Sequence, residues 1–331
     1  MKIRIITVCF TLMAGHLFLP QLCRASSFFE MAFKSDSIYT PGKMNMTMKL
    51  TNKVKVEGDY EFRVGIYAAD TLVRKQTLPV TKEEPAFFEL TFPKARDRMD
   101  VRCRAGLFLN GQFIEGQEKP LTVWPPLVPF SKEPTEKVIW VFDISGRLQI
   151  FFEQLEVKTV DATFQAARDF GAPDIVFIGE CIDPNSMRVI THRLESIDSK
   201  PVVIFLRQKQ LLENGEIVIP KEENRSKTVI CDLNSPLLQG LRKLDIMNMV
   251  DNASYLRINK EKGKDWFIDS YVTEVVEKKG IHSYLLSIEE EDQVTIYCQL
   301  YLADCDNPRY GILFNNLLKF ANKIVESKKN R

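Results

Sequence analysis

The apolar residues of this 331-residue chain change their spacing part-way along the sequence, and this change limits the folds open to it. Between residues 28 and 124 they alternate with polar residues, as in KMNMTMKL at 43–50. Alternation with a period of two is typical of strands that bury one face. About seven such strands, separated by turn signals such as Asn110-Gly111, predict a β-sandwich of immunoglobulin type over residues 26–124.

A second pattern begins after a proline-rich segment at 125–136, which is predicted to be a linker because proline stiffens the chain and cannot donate a ladder hydrogen bond. Continuous apolar runs beyond it are typical of parallel strands buried on both faces. These runs lie at 138–142, 174–178 and 202–206, with helical patterns at 146–155, 162–170 and 185–197, a late strand at 295–302 and a closing helix at 308–325. The order predicts a doubly wound, flavodoxin-like α/β domain over residues 137–331.

The first 25 residues have the three parts of a secretory signal. Lys2 and Arg4 form a basic start, an apolar run extends to about Leu19, and the small-residue site ends at Ala25. We expect cleavage after Ala25 and export to the periplasm or the cell exterior, with a retained membrane anchor as the alternative. No later run approaches the ~20 apolar residues of a spanning helix, so we expect no stable membrane span after signal removal.

Composition and spacing exclude several classes of partner. The formal net charge is +1, so the chain has no strong overall positive potential to attract a nucleic acid. Beyond the signal there is no CxxC pair and the histidines are His192 and His282, so we expect no metal site. No phosphate-binding glycine motif occurs, and we expect no cofactor. Cys298 and Cys305 could pair across a turn, although the sequence does not require a disulfide.

Candidate site residues follow two of the predicted parallel strands. In a doubly wound sheet, ligands bind beyond the carboxyl ends of the strands. The loop after the first strand has Asp143 and Ser145, and a later one has Glu180 and Asp183. These four residues are candidates for ligand binding, although capping of the first helix is the preferred interpretation for Asp143 and Ser145.

Cys181 raises the question of catalysis, because a cysteine just past a buried strand can be a nucleophile. A nucleophile elbow has small residues on both sides, whereas Asp183 lies two positions after this cysteine. Glu180 and Asp183 also disfavour the thiolate. His192 is the nearest candidate base along the chain. We therefore predict no catalytic residue, with a hydrolase that uses Cys181 and His192 as the alternative.

The order of the motifs resembles a known family. KVIWVFDISG at 137–146, PDIVFIGE at 173–180, SPLLQGL at 235–241 and the segment from 294 to 318 are similar to the C-terminal accessory region of bacterial glycoside hydrolases of family 2. In that region an immunoglobulin-like sandwich precedes a domain similar to class I glutamine amidotransferases and β-galactosidase trimerisation domains. The resemblance implies a domain that has lost its nucleophile, standing here without the catalytic barrel.

These observations favour an exported, non-catalytic accessory protein linked to carbohydrate use. It would bind a glycan or a protein partner and could form a homo-oligomer. The alternatives are a cysteine-dependent hydrolase of amidotransferase-like type and a purely structural oligomerisation module. Trp266 is the candidate exposed aromatic residue for stacking against a sugar, with packing at a sheet edge as the alternative.

Overall fold

The computed structural model describes residues 28–51, 54, 57–80, 84–127, 137–163, 171–209, 211, 217–220, 228–251, 253–259, 266–275, 280–302 and 306–329. The chain divides into two compact units, Met1–Pro126 and Leu127–Arg331. The predicted signal at 1–25, the linker residues 128–136, residues 164–170 of a predicted helix, and Cys305 with its possible disulfide lie outside the described residues. None of the helices in the described ranges is both long enough and apolar enough to cross a membrane.

The first unit contains strands only, in its described residues. They are β1 (Phe29–Phe33), β2 (Ser37–Tyr39), β3 (Gly42–Leu50), β4 (Tyr60–Ala68), β5 (Thr71–Val80), β6 (Ala86–Phe92), β7 (Met99–Leu109) and β8 (Gln112–Trp124). One sheet has the order β1-β3-β6 and the other the order β2-β8-β7-β4-β5, and every pair is antiparallel except β2 with β8. The eight strands are one more than the alternation predicted.

The alternating pattern places one face of each main strand in a shared core. Met44, Met46 and Met48 of β3 are buried, whereas the intervening positions are more exposed. The rings of Phe29, in the first sheet, and Phe62, in the second, lie 5.0 Å apart between centroids. Contact between rings from different sheets shows that the two sheets pack face to face, as a β-sandwich requires.

The second unit combines strands and helices. Its strands are β9 (Ile139–Phe142), β10 (Val160–Asp161), β11 (Ile175–Ile178), β12 (Val202–Leu206), β13 (Ile217–Val218), β14 (Val229–Cys231), β15 (Leu256–Ile258), β16 (Phe267–Glu274), β17 (Ile281–Glu290) and β18 (Gln293–Cys298). Its helices are α1 (Arg147–Gln154), α2 (Pro184–Glu195), α3 (Lys243–Val250) and α4 (Pro308–Lys329), with a 3-10 helix at Pro236–Leu238.

The sheet of the second unit has a parallel and an antiparallel part. Its main path is β10-β9-β11-β12-β18-β17-β15-β13, and β16 pairs with β14 and β17. All pairs from β10 to β18 are parallel, and the rest are antiparallel. The prediction of a doubly wound domain over residues 137–331 was therefore wrong for strands β13 to β17, which form an antiparallel extension.

Helices cover the parallel strands on both faces, which explains their continuous apolar sequences. On one face, Phe314 of α4 packs against Phe151 and Phe152 of α1 and Phe177 of β11, with ring centroids 4.8 to 5.3 Å apart. On the other face, Met187 and other residues of α2 join a core with Val176 and its neighbours in the sheet. Because both faces of the parallel strands are covered, a loop that binds a ligand would lie at one of the two ends of these strands.

Candidate functional site

Asp143, just after the carboxyl end of β9, accepts a hydrogen bond from the first turn of helix α1. Its carboxylate accepts hydrogen bonds from the backbone N–H of Leu148 at 2.7 Å and from the N–H and hydroxyl of Ser145 at 3.0 and 2.7 Å. The N-cap residue itself is Gly146, with a φ of 69° and no side chain to accept a hydrogen bond. Asp143 therefore caps the helix from three positions upstream, as the capping interpretation anticipated.

Glu180 follows β11 and lies between a guanidinium and a backbone donor. One carboxylate oxygen accepts from the N–H of Leu302 at 3.2 Å, and the other lies 3.4 Å from Nη2 of Arg207. That guanidinium stacks 4.0 Å above the ring of Tyr301. Burial raises the pKa of Glu180, while the charge of Arg207 and the Leu302 N–H oppose the rise. The carboxylate of Glu180 is therefore already engaged by Arg207 and by the N–H of Leu302.

The loops after β11, β12 and β18 are joined by a buried amide that the sequence did not single out. Gln208 is 1% exposed, and its Nε2 donates to the carbonyls of Gly179 and Leu206, each at 2.6 Å. Its Oε1 accepts from the N–H of Ile182 at 3.0 Å, and its own N–H donates to Gln299 at 3.0 Å. Because these partners come from separate strand ends, no local pattern could have revealed them.

Cys181 occupies a tight turn next to this network. Its φ is 54°, in the left-handed region that non-glycine residues seldom adopt, and its N–H donates to the carbonyl of Arg207 at 2.7 Å. The thiol is free and half-buried, and no described side chain hydrogen-bonds to it. The turn resembles an elbow in backbone conformation, but no side chain of the described residues hydrogen-bonds to the sulfur as an activating base would.

The two histidines lie elsewhere in the second unit. His192 is on the exposed side of α2, where its side chain is 90% exposed and its Nδ1 lies 3.9 Å from Glu195. His282 is buried in β17 and stacks on the ring of Tyr255. In the described ranges, neither histidine forms a hydrogen bond with Cys181. The same ranges contain no group of three or more side chains placed to hold a metal ion.

The remaining predicted residues have structural contacts. Asp183 caps α2 by accepting from the N–H groups of Asn185 and Ser186 at 3.0 and 3.1 Å, and the hydrogen bonds from Ser186 lower its pKa. Trp266 is half-buried and packs on an apolar cluster that includes Ile217 and Leu256. Its indole N–H is buried.

A cavity of about 520 Å³ lies at the opposite end of the sheet, between its antiparallel part and the last turns of α4. We name it the Phe267 cleft. Its lining includes the rings of Phe267 and Phe320 and the carboxylates of Asp198, Asp269, Glu289 and Asp292. Phe267 is 78% exposed, which is unusual for a phenylalanine beside a cavity of this size.

Strand register explains how this lining is assembled. Phe267 and Asp269 are two residues apart in β16 and therefore share a face, and they pair across to Glu289 and Ser287 of β17. Further along the same face, the hydroxyl of Tyr271 hydrogen-bonds to Ser287 at 2.9 Å. The sequence EEED at 289–292 spans the hairpin turn between β17 and β18, and the carboxylates of Glu289 and Asp292 also line the cleft.

Comparison with known proteins gives no family assignment. No family model matches the chain, and no curated protein does. Solved structures with partial similarity include the CARDB domain of a Pyrococcus furiosus protein, with 14% identity, covering 30% of this chain and 97% of that domain, at a TM-score of 0.23. The β-glucuronidase of Parabacteroides merdae has 11% identity over 55% of this chain and 25% of its own, at a TM-score of 0.24.

A second β-glucuronidase, from Bifidobacterium dentium, has 11% identity over 54% of this chain, at a TM-score of 0.21. The present chain spans 30% of that enzyme and 25% of the Parabacteroides one. These overlaps are too low in identity and TM-score to assign a function.

Proposed function

We propose that this chain is an exported, non-catalytic accessory protein that binds a saccharide in the Phe267 cleft. The observation that supports the proposal is the phenyl ring of Phe267, 78% exposed at a cavity of about 520 Å³. Ligand sites commonly combine a concave apolar surface with a few well-placed polar groups. The cleft has both features on a rigid sheet.

A saccharide suits this combination for two physical reasons. The C–H face of a sugar ring is apolar and weakly positive, so it is attracted to the negative face of an aromatic ring. Sugar hydroxyls are donors, and the carboxylates of Asp269 and Glu289 are strong acceptors beside that ring. A flat apolar ligand without donors could not form hydrogen bonds with these carboxylates.

The fold supports a role as an accessory module. The five parallel strands lie in the spatial order β10-β9-β11-β12-β18. If they are numbered 1 to 5 along the chain, this order is 2-1-3-4-5, as in flavodoxin-like sheets. We infer that the second unit is such a domain with an antiparallel extension, and that the first is a sandwich of immunoglobulin type. Both inferences accord with the resemblance to the accessory region of family 2 glycoside hydrolases.

A cysteine-dependent hydrolase is the second candidate, because Cys181 follows a buried strand and has a left-handed φ, as a nucleophile in a strained turn can. Against it, Asp143, Asp183 and Glu180 are engaged in capping, backbone or guanidinium contacts. Among the described residues, none is in place to take a proton from the thiol.

Isothermal titration calorimetry of the purified protein against a panel of oligosaccharides tests the proposal. At least one should bind, and Phe267→Ala should weaken its binding by at least about ten-fold, as loss of a central aromatic contact does. Phe87→Ala is the matched control, since Phe87 is 73% exposed but lies in the first unit. Absence of binding across the panel would refute saccharide binding.

Turnover of glycosides, amides or esters that Cys181→Ala abolishes would instead establish the hydrolase. Calorimetry and turnover assays therefore separate the two candidates.

A further inference from the structure

We propose that the saccharide bound in the Phe267 cleft carries a free, protonated amine, as an unacetylated amino sugar does. This inference rests on the proposed function and narrows its ligand class. It is drawn from the balance of charges around the cleft and from their placement beside the exposed ring.

The charges that line the cleft are predominantly negative. Four carboxylates contribute to the lining, from Asp198, Asp269, Glu289 and Asp292, against the two ammonium groups of Lys200 and Lys328. Within the described ranges, none of the four carboxylates forms a hydrogen bond or an ion pair with another side chain. They are therefore available to a ligand.

Both lysines of the cleft have protein partners. The Nζ of Lys200 donates to the carbonyl of Glu291 at 2.6 Å, and the Nζ of Lys328 donates to the carbonyl of Lys200 at 3.2 Å. These bonds connect the hairpin turn, the loop before β12 and the end of α4. The ammonium groups thus help to hold the wall of the cleft together, and they do not lie against its carboxylates.

The exposed ring lies among the carboxylates. Phe267 pairs directly with Glu289 across the two strands, and Asp269 is the next residue on the same face of β16. Directly paired side chains on one face have Cβ atoms about 5 Å apart, and diagonal neighbours about 7 Å apart. A cation above the ring would be attracted both by the ring face and by the adjacent carboxylates.

An amino sugar satisfies the aromatic and the acidic parts of the cleft together. Its ring face can stack on Phe267 while its ammonium group lies toward Asp269 or Glu289. A neutral sugar would leave the excess negative charge uncompensated, and a uronic acid would add to it. The cleft should therefore rank otherwise matched oligosaccharides by charge, in the order amine, neutral and acid.

Calorimetric titration with three tetrasaccharides tests this order: a β-1,4-linked glucosamine tetramer, its fully N-acetylated form and a galacturonate tetramer. At pH 6 and low salt, the glucosamine tetramer should bind about ten-fold more tightly than the N-acetylated one, and the galacturonate tetramer should not bind measurably. The preference for the amine should decrease as salt is added, because exposed ion pairs are screened.

Variants separate the charge effect from the stacking effect. Asp269→Asn together with Glu289→Gln should remove the ten-fold preference. It should weaken binding of the N-acetylated tetramer much less than binding of the glucosamine tetramer, because amide oxygens still accept hydrogen bonds from sugar hydroxyls. Glu153→Gln, at a solvent-facing position of α1, is the matched control and should change neither. Phe267→Ala should weaken both ligands equally.

The outcomes distinguish this inference from the proposed function. Equal or tighter binding of the N-acetylated tetramer, still dependent on Phe267, would overturn the amine specificity and leave saccharide binding in place. A preference for the amine that persists in the double variant would also overturn it. If no saccharide of the panel and none of the tetramers binds, the proposed function itself would be overturned.

Discussion

The ion pair between Asp245 and Arg309 joins helix α3 to the first turn of α4 and allows a quantitative prediction. Oδ1 of Asp245 lies 2.8 Å from Nε of Arg309, and the two residues are 1% and 6% exposed. The other carboxylate oxygen accepts from the N–H of Arg242, the N-cap residue of α3, at 2.8 Å. Both charges are therefore desolvated and tied to the positions of two helices.

The expected cost of breaking this pair follows from the distance and the burial. At 2.8 Å and an effective dielectric constant of about 20, the attraction is about 6 kcal/mol. Desolvation of two buried ions offsets most of this gain, so the pair contributes little net stability compared with apolar residues. Removing one partner takes this counter-charge away from the other buried charge, and we expect Asp245→Asn or Arg309→Met to cost about 3 kcal/mol each.

A double-mutant cycle measures the coupling between the two residues. The combined Asp245→Asn and Arg309→Met variant should cost well below the sum of the single changes, with a coupling of about 2 kcal/mol or more. Urea unfolding of the full chain, followed by circular dichroism at 222 nm, is the assay, because all helices of the described residues lie in the second unit. Single costs below 1 kcal/mol, or strictly additive costs, would refute this account.

Four further outcomes are expected. Gly179→Ala should destabilise the second unit by about 1–3 kcal/mol in urea unfolding, because the added Cβ would lie 2.7 Å from Oδ1 of Asp143. Burial raises the folded-state pKa of Glu180, so its carboxyl favours folding most at low pH. The stability of the parent relative to Glu180→Gln should therefore decrease as pH rises from about 4, and an increase would contradict the burial argument. Cys181→Ala should leave saccharide binding unchanged and cost about 1 kcal/mol, which calorimetry and unfolding would check. Mass spectrometry of protein from its native host should find an N-terminus near Ser26, and an intact signal would count against export.

The periodicity of the sequence was a reliable guide to the elements that it covered. The alternating methionines of β3 are buried on one face, and the continuous run of β11 is buried on both. Trp124 is 2% exposed and ends β8, so the sandwich includes it fully. Strand type depends on the local alternation of buried positions, and this is why it can be predicted.

The candidate site at the carboxyl end of the sheet was predictable only in outline. The sequence indicated the loops that contain Asp143 and Glu180, because chain segments that follow parallel strands meet at one edge. It did not indicate that Arg207 would pair with Glu180, or that Gln208 would join several loops. Those contacts depend on the lateral order of the strands, which a single sequence does not encode in its local pattern.

The sequence by itself determined the two packing regimes and the cap of α1, because each depends on residues close together in the chain. Tertiary structure alone decided the antiparallel extension and the Phe267 cleft. Phe267, Glu289 and Phe320 are separated by long stretches of chain, and they meet because β16 pairs with β17 in one register and α4 packs over that face. A shift of one residue in this register would turn Phe267 and Asp269 to the opposite face of the sheet, so pairing between distant strands, and not local propensity, creates the cleft.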